Sequence, residues 1–383
     1  MGAPDHLQLN ITQDEEDANE ANSSEQTNVS NRSKNYTRWL KIAIYSLCSL
    51  FGQLAATLLV RCYYDKGGKS QWMGTLTQLA GFPILLPFYF TSAARKIPTA
   101  DIIHSSSKPF VFPLVYIVLG LVFAADCLLF SLGLKYLPAS TFSLISASQL
   151  AFNAFFSFFL NSQKFTPATT NSLVILTISS TLLLFQSDSS DPSNVSKAKH
   201  VLGLICTISA SAGYGLMLSL TQCAFEKIIK RETFSTILNM TMYQSLVATC
   251  AALVGLFASG EWKGLTEEMH AFELGKASYA LTLTWATISW QTFNFGTIGL
   301  ILEVSSVFSN VVCVLGLPFI PILAVIVFHD KMHGIKVMAL LLACWGFTSY
   351  MYQHYIDYHK SKSENTNVNG GDRASQQEET NGE

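Results

Sequence analysis

Apolar runs of about twenty residues, each long enough to span a bilayer as a helix, alternate along this chain with short polar segments. They fall near 39–60, 72–92, 110–131, 138–160, 168–186, 201–224, 235–259, 277–297, 304–327 and 334–355. Polar tails rich in Asn, Ser, Glu and Asp flank them, over 1–38 and 356–383. Such segments bury too little apolar surface to order themselves. The pattern predicts an all-α membrane protein of ten transmembrane helices, with both disordered tails on one side.

The run within Tyr136–Pro167 has an internal pattern. Pro138 suits a first helical turn, and Lys164 with Pro167 forms a stop signal. Between them Ser146, Gln149, Asn153 and Ser157 recur every three or four residues, so a helix puts them on one face. Phe152, Phe155, Phe156, Phe158 and Phe159 occupy much of the rest. The aromatics are expected toward lipid and the amides toward the bundle interior. The stripe then either lines a cavity or bonds neighbouring helices.

Composition sharpens this picture. The chain is 49% hydrophobic and 13% charged, where a soluble domain carries about 25% charged residues. Of the acidic residues outside the tails, only Asp126 and Glu303 sit within apolar runs, and no Lys or Arg lies deep in any. With both termini in the cytosol, fourteen Lys/Arg fall inside and ten outside, the sign the positive-inside rule requires. Five N-x-S/T sequons, at Asn10, Asn22, Asn28, Asn31 and Asn35, lie in the N-terminal tail, and a cytosolic tail leaves them unused. The N-terminus is long and acidic before the first run, which reads as an uncleaved start-transfer helix, and the plasma membrane is the expected location. The eight cysteines lie in or beside apolar segments without a C-x-x-C pair, as small buried hydrophobes do. A net charge of −2 makes no electrostatic case for nucleic acid.

The two halves resemble each other at a spacing of about 165 residues. Gly52-Gln53 through Cys62 matches Gly213-Tyr214 through Cys223, and Gln78 matches Gln244. Ser131-Leu132-Gly133-Leu134 matches Thr297-Ile298-Gly299-Leu300, and Ala139-Ser140 with Phe142-Ser143 matches Ser305-Ser306 with Phe308-Ser309. Five spans per repeat is an odd number, so the second copy enters the membrane inverted. The organisation expected is a first five-helix repeat over 39–186, a polar loop over 187–200 and a second repeat over 201–355. Inverted repeats mark secondary transporters, with the substrate near the midplane between halves. The repeat sets Asp126 at the depth of Gln291 and Thr292, about 12 Å from one end of each helix. Trp290 and Asn294 add an indole and an amide.

Asp126 is the sharpest chemical signal. An ionised carboxylate in hydrocarbon costs several kcal/mol, so such residues mark ion or proton pathways. Asp126 is expected to load and release a transported proton, with Glu303, at the mouth of span nine, as the second candidate. Pro318 and Pro321 break span nine and free backbone carbonyls. Lys227, Lys230 and Arg231 read as a cytosolic anchor. His329, Asp330 and His333 lack the spacing of a closed metal site. The chain has no G-x-x-x-x-G-K-S/T loop and no nucleophile–base constellation, so neither ATP hydrolysis through a P-loop nor an enzyme is indicated.

At these residues the chain resembles the plant purine permeases, within the drug/metabolite transporter superfamily. The likeness is carried by YLPASTFSLISASQLAFNAFFSFFLNSQKFTP, Arg61-x-Tyr63, Gly67-Gly68, Trp72, Gln78 with Gly81-Phe82-Pro83, and Ser305-Ser306. It covers about 39–355 and leaves out both tails. It implies two inverted five-helix repeats and proton-coupled uptake of purine bases and related heterocycles, among them adenine and cytokinins. Other members carry pyridoxine or alkaloids, and a receptor or scaffold on the same fold is a further alternative. No cofactor is implied; the partners are a purine-like substrate, protons and lipid. Asn and Gln each offer a donor and an acceptor, which suits a purine edge. Gln53, Gln78, Gln149, Asn153, Gln291 and Asn294 are the candidate amides, with Trp290 to stack on the ring.

Overall fold

A computed structural model of the chain describes residues 36–87, 111–137, 148–163, 165–182, 197–230 and 234–317, with Phe142, Ile145, Ser146 and parts of 319–356. Both tails, Asn194, Pro138, Lys164, Arg231, Pro318, Pro321 and the His329–His333 cluster lie outside the described residues. Among the described residues every regular element is helical.

In chain order the helices are α1 (Tyr36–Asp65), α2 (Gln71–Leu79), α3 (Val111–Tyr136), α4 (Gln149–Asn161) and α5 (Pro167–Leu182). There follow α6 (Lys197–Cys223), α7 (Phe234–Ser259), α8 (Leu265–Ala271), α9 (Lys276–Glu303) and α10 (Ser306–Gly316). Residues 344–353 are helical again. α1, α3, α7 and Ala198–Ile229, which is α6 with a π-helical extension, are long and apolar enough to cross a membrane. α9 matches them in length at 28 residues and carries Thr287, Gln291, Thr292 and Asn294 along its middle. Large apolar side chains on the outer faces are exposed, among them Leu114 and Leu121 of α3, Val254 and Phe257 of α7, and Phe155, Phe158 and Phe159 of α4. Contiguous apolar surface on that scale suits lipid rather than water.

Two expected spans are interrupted. The second does not run unbroken over 72–92: α2 stops at Leu79, and a 3-10 turn covers Phe82–Leu85. Pro83 sits in its first turn, where its missing N–H removes an α-helical bond. The fourth breaks ahead of α4, where both the N–H and the Oγ of Ser148 take the Ile145 carbonyl, at 3.0 and 2.6 Å. A serine hydroxyl that captures a nearby carbonyl competes in this way with the helix ladder. Between α7 and α9, where the hydrophobic pattern predicts only a loop, lie a 3-10 turn (Glu261–Gly264) and α8.

That segment closes one end of the bundle. The buried Glu268 carboxylate accepts from Tyr63 Oη, from Tyr279 Oη at 3.2 Å and from the Ser70 amide at 3.0 Å. Glu261 accepts from Ser70 Oγ at 2.6 Å and the Trp72 amide at 3.2 Å. Two carboxylates thus cap α2 at its N-terminus, where the helix dipole favours negative charge. Outside them Lys66 pairs with Glu273 at 3.0 Å, a bond that holds its ammonium pKa above the ordinary value. Glu268→Ala leaves the Ser70 amide and Tyr279 Oη without this acceptor and Tyr63 Oη with the Ser70 carbonyl at 3.3 Å alone, and each donor left unsatisfied costs about 1–3 kcal/mol. The purified variant is expected to melt several degrees below the parent, and an unchanged melting temperature would show that the cap is not held by this carboxylate. At the opposite end Lys41 pairs with Glu303 at 3.0 Å, and Arg38 donates to the Glu303 carbonyl at 2.8 Å.

Inside the bundle α6 packs against α3 and α4, while α1 crosses α9. The second crossing depends on Gly52, since a Cβ there would stand 2.6 Å from the Phe293 amide nitrogen.

Candidate functional site

Between these helices lies a cavity that encloses about 520 Å³ of atom-free space, part of it open to the outside. Its lining comes from six elements. α1 contributes Gln53, α2 Gln78, and α3 Asp126 and Phe130. Ser146 and Gln149 stand on either side of the break in span four, Tyr214 comes from α6, and Trp290, Phe293 and Asn294 come from α9.

One wall is aromatic. Trp290 meets Phe130 edge-on at 5.5 Å and Phe293 at 5.5 Å, and Phe293 stacks with Tyr214 at 6.4 Å. Polar residues of the lining keep unused hydrogen-bonding capacity, Gln53 Oε1 beside Gly316 and Asp126 Oδ1 beside Gly213. Gln53 Oε1, Asp126 Oδ1 and Trp290 Nε1 are buried without a hydrogen-bond partner among the described residues. Buried polar atoms are ordinarily paired, and each unpaired one costs about 1–3 kcal/mol. Three of them around one cavity, two acceptors and a donor, make a site suited to a planar ligand with complementary edges. Gln78 is held differently: its Nε2 donates to Ser131 Oγ at 2.8 Å and to the Cys127 carbonyl at 3.3 Å, and its backbone carbonyl accepts from Asn294 Nδ2 at 3.4 Å. Asp126 has room because α6 presents Gly213 to it; a Cβ there would meet Asp126 Oδ1 at 2.7 Å.

Three sequence candidates stand elsewhere. Asn153 is fully buried, and its amide is used up between helices: Nδ2 donates to the Ser306 carbonyl at 3.0 Å, and Oδ1 accepts from Ser219 at 2.8 Å and Ser157 at 3.2 Å. Of the stripe, Ser146 and Gln149 face the cavity while Asn153 and Ser157 join α4 to α6 and α10. The turn of helix between them separates the two groups. Gln291 lies off the cavity against Gly81, with both amide atoms buried and without a partner among the described residues. Glu303 sits at the end of α9 in its bond to Lys41. Asn153→Ala is accordingly expected to lower the melting temperature and leave the substrate affinity of surviving molecules unchanged; a normal melting temperature with weakened affinity would return Asn153 to the ligand.

Tyr214, Phe130 and Phe293 line the cavity without having been singled out for it. A signal for Tyr214 exists: it holds the place in Gly213-Tyr214 that Gln53 holds in Gly52-Gln53, and both side chains reach the cavity.

Residues 40–360 match the model of a family described as purine nucleobase transmembrane transport. The chain belongs to this purine permease family. It is 53% identical over 363 residues to "Probable purine permease 10" of Arabidopsis thaliana, covering 93% of each chain. It is 53% identical over 352 residues to "Purine permease 21" of the same plant, covering 92% of this chain and 90% of that one. "Probable purine permease 6" is 54% identical over 338 residues, with 87% of each covered. Among solved structures, one described only as "Crystal structure of protein" superposes with a TM-score of 0.50 at 14% identity, covering 80% of this chain and 98% of that one, a likeness of fold. Family members are permeases, so this chain is a membrane transporter and not an enzyme.

Proposed function

We propose that this permease takes up purine nucleobases and related heterocycles, adenine and cytokinins first, by proton-coupled alternating access between two inverted five-helix repeats. The observation that carries the reading is the set of unpartnered buried atoms Gln53 Oε1, Asp126 Oδ1 and Trp290 Nε1 around one cavity. A purine edge carries ring-nitrogen acceptors and N–H donors that complement such a set, and the Phe130–Trp290–Phe293 wall suits its face. Gln149 and Asn294 add amides at the rim, and Gln78 braces α2 against α3.

Asp126 is the one carboxylate among the lining residues. In this proposal it binds a proton when the cavity faces the higher proton concentration and releases it on the other side. Glu303 serves as a lock on α1, and Asn153 as a joint between helices. The crossing of α1 with α9 and of α6 with α3, each through a glycine of the matched Gly52/Gly213 pair, supports the repeat relation. The Lys/Arg distribution supports cytosolic termini; the plasma membrane is the location proposed.

The test is radiolabelled adenine uptake in a host lacking its own nucleobase carriers. Uptake is expected to saturate, to be competed by cytokinins, to rise at acid external pH and to collapse with a protonophore. Uptake no greater than in control cells would contradict the substrate class. Saturable uptake indifferent to the proton gradient would contradict the coupling.

A further inference from the structure

Two matched pairs of side chains in the two halves are bonded differently. The separation from Gln78 to Gln244 equals that from Ser131 to Thr297. In the first half Gln78 Nε2 donates to Ser131 Oγ at 2.8 Å and joins α2 to α3 toward the end that Glu268 caps. In the second half the equivalent partners are apart. Among the described residues Gln244 Nε2 reaches only Met217 Sδ, at 3.5 Å, and Gln244 Oε1, on a side chain 3% exposed, has no partner. Thr297 Oγ1 is taken by Ser49 at 3.3 Å. Gln244 and Thr297 both line a second, much smaller cavity, which shares Phe123, Tyr214 and Asn294 with the main one. It lies toward the opposite end, where α9 finishes at Glu303.

We propose that Gln78–Ser131 and Gln244–Thr297 are reciprocal latches that decide which end of the permease is shut. The first is closed here and helps seal the capped end. When that end opens, the halves exchange conformations, Gln78 leaves Ser131, and Gln244 closes on Thr297 across the second cavity. The proposal rests on the inverted-repeat, alternating-access reading above. Each latch exists in one state only, so its loss moves the equilibrium toward the other state. One neutral hydrogen bond corresponds to a shift of about fivefold.

Cys127 lines the main cavity and reports which face reaches it. The full-length protein, with its other seven cysteines replaced, is labelled in oriented vesicles by a membrane-impermeant methanethiosulfonate from each face. Ser131→Ala is expected to raise the ratio of capped-face to opposite-face labelling about fivefold. Gln244→Leu should lower it by a similar factor, and Ser131→Ala with Gln244→Leu should return the ratio toward the parent. If label reaches Cys127 from both faces but the single variants leave the ratio unchanged, or move it in one direction, the latches are refuted and alternating access stands. If Cys127 is labelled from one face only in the parent and in every variant, alternating access itself falls and the latches with it.

Discussion

Asp126→Asn is expected to abolish accumulation of substrate against a gradient while sparing exchange of preloaded for external substrate. Asn keeps the size of the side chain and can still hydrogen-bond in the cavity, but it cannot titrate. Asp126 lies at mid-helix in α3, against Gly213 of α6, and its Oδ1 has no partner among the described residues. A group that must bind and release a proton in each cycle cannot be replaced by one that does neither, so net coupled uptake should fall by more than about tenfold; general acid–base groups contribute factors of this size or larger. Exchange needs only reorientation of the loaded cavity and should persist. The check is paired accumulation and exchange assays over a range of external pH. Accumulation with the parent's pH dependence would remove Asp126 from the coupling.

The second large effect belongs to Trp290. Trp290→Phe keeps an aromatic ring beside Phe130 and Phe293 and deletes the Nε1 donor, which no described residue satisfies. The ligand acceptor facing it would then be buried unpaired, at a cost of about 1–3 kcal/mol, equivalent to a loss of about 5- to 150-fold in affinity. Stability should change little, because that indole N–H bonds no described residue. Adenine binding and a thermal melt on one preparation decide it. Parent-like affinity would place the ligand away from the indole, and lowered stability with parent-like affinity would make Trp290 part of the packing.

Much of this site is legible in the chain because burial of polar groups in an apolar run is costly and therefore informative. Gln53, Gln78, Asp126, Gln149, Trp290 and Asn294 come from five different runs, and the structure brings them around one cavity. Their depth follows from the repeat and from the rise of a helix. What a one-dimensional pattern does not carry is the direction in which a polar face is answered. Gln149 and Asn153 share a helix face, yet one meets a cavity and the other meets Ser219 and the Ser306 carbonyl. That difference depends on α6 and α10, which lie far away in sequence. Glu303 reads as a residue at the mouth of span nine, and its partner there, Lys41 of α1, is one that the pattern does not name. The breaks at Gly81–Pro83 and Ser148 needed the competition between side-chain, proline and helical hydrogen bonds, which hydropathy does not see. α8 is short and polar, and it owes its place to Glu268 meeting Tyr63, Ser70 and Tyr279 across the cap.

The claim on which the rest depends is that the central cavity is where the heterocycle sits, and a structure of the full-length protein with adenine bound tests it most directly. The account predicts density for a planar ring between Gln53 and Trp290, within hydrogen-bond distance of Gln53 Oε1 and Trp290 Nε1 and beside Asp126. Ordered adenine at another place, with Gln53 Oε1 and Trp290 Nε1 still unpartnered, would contradict it.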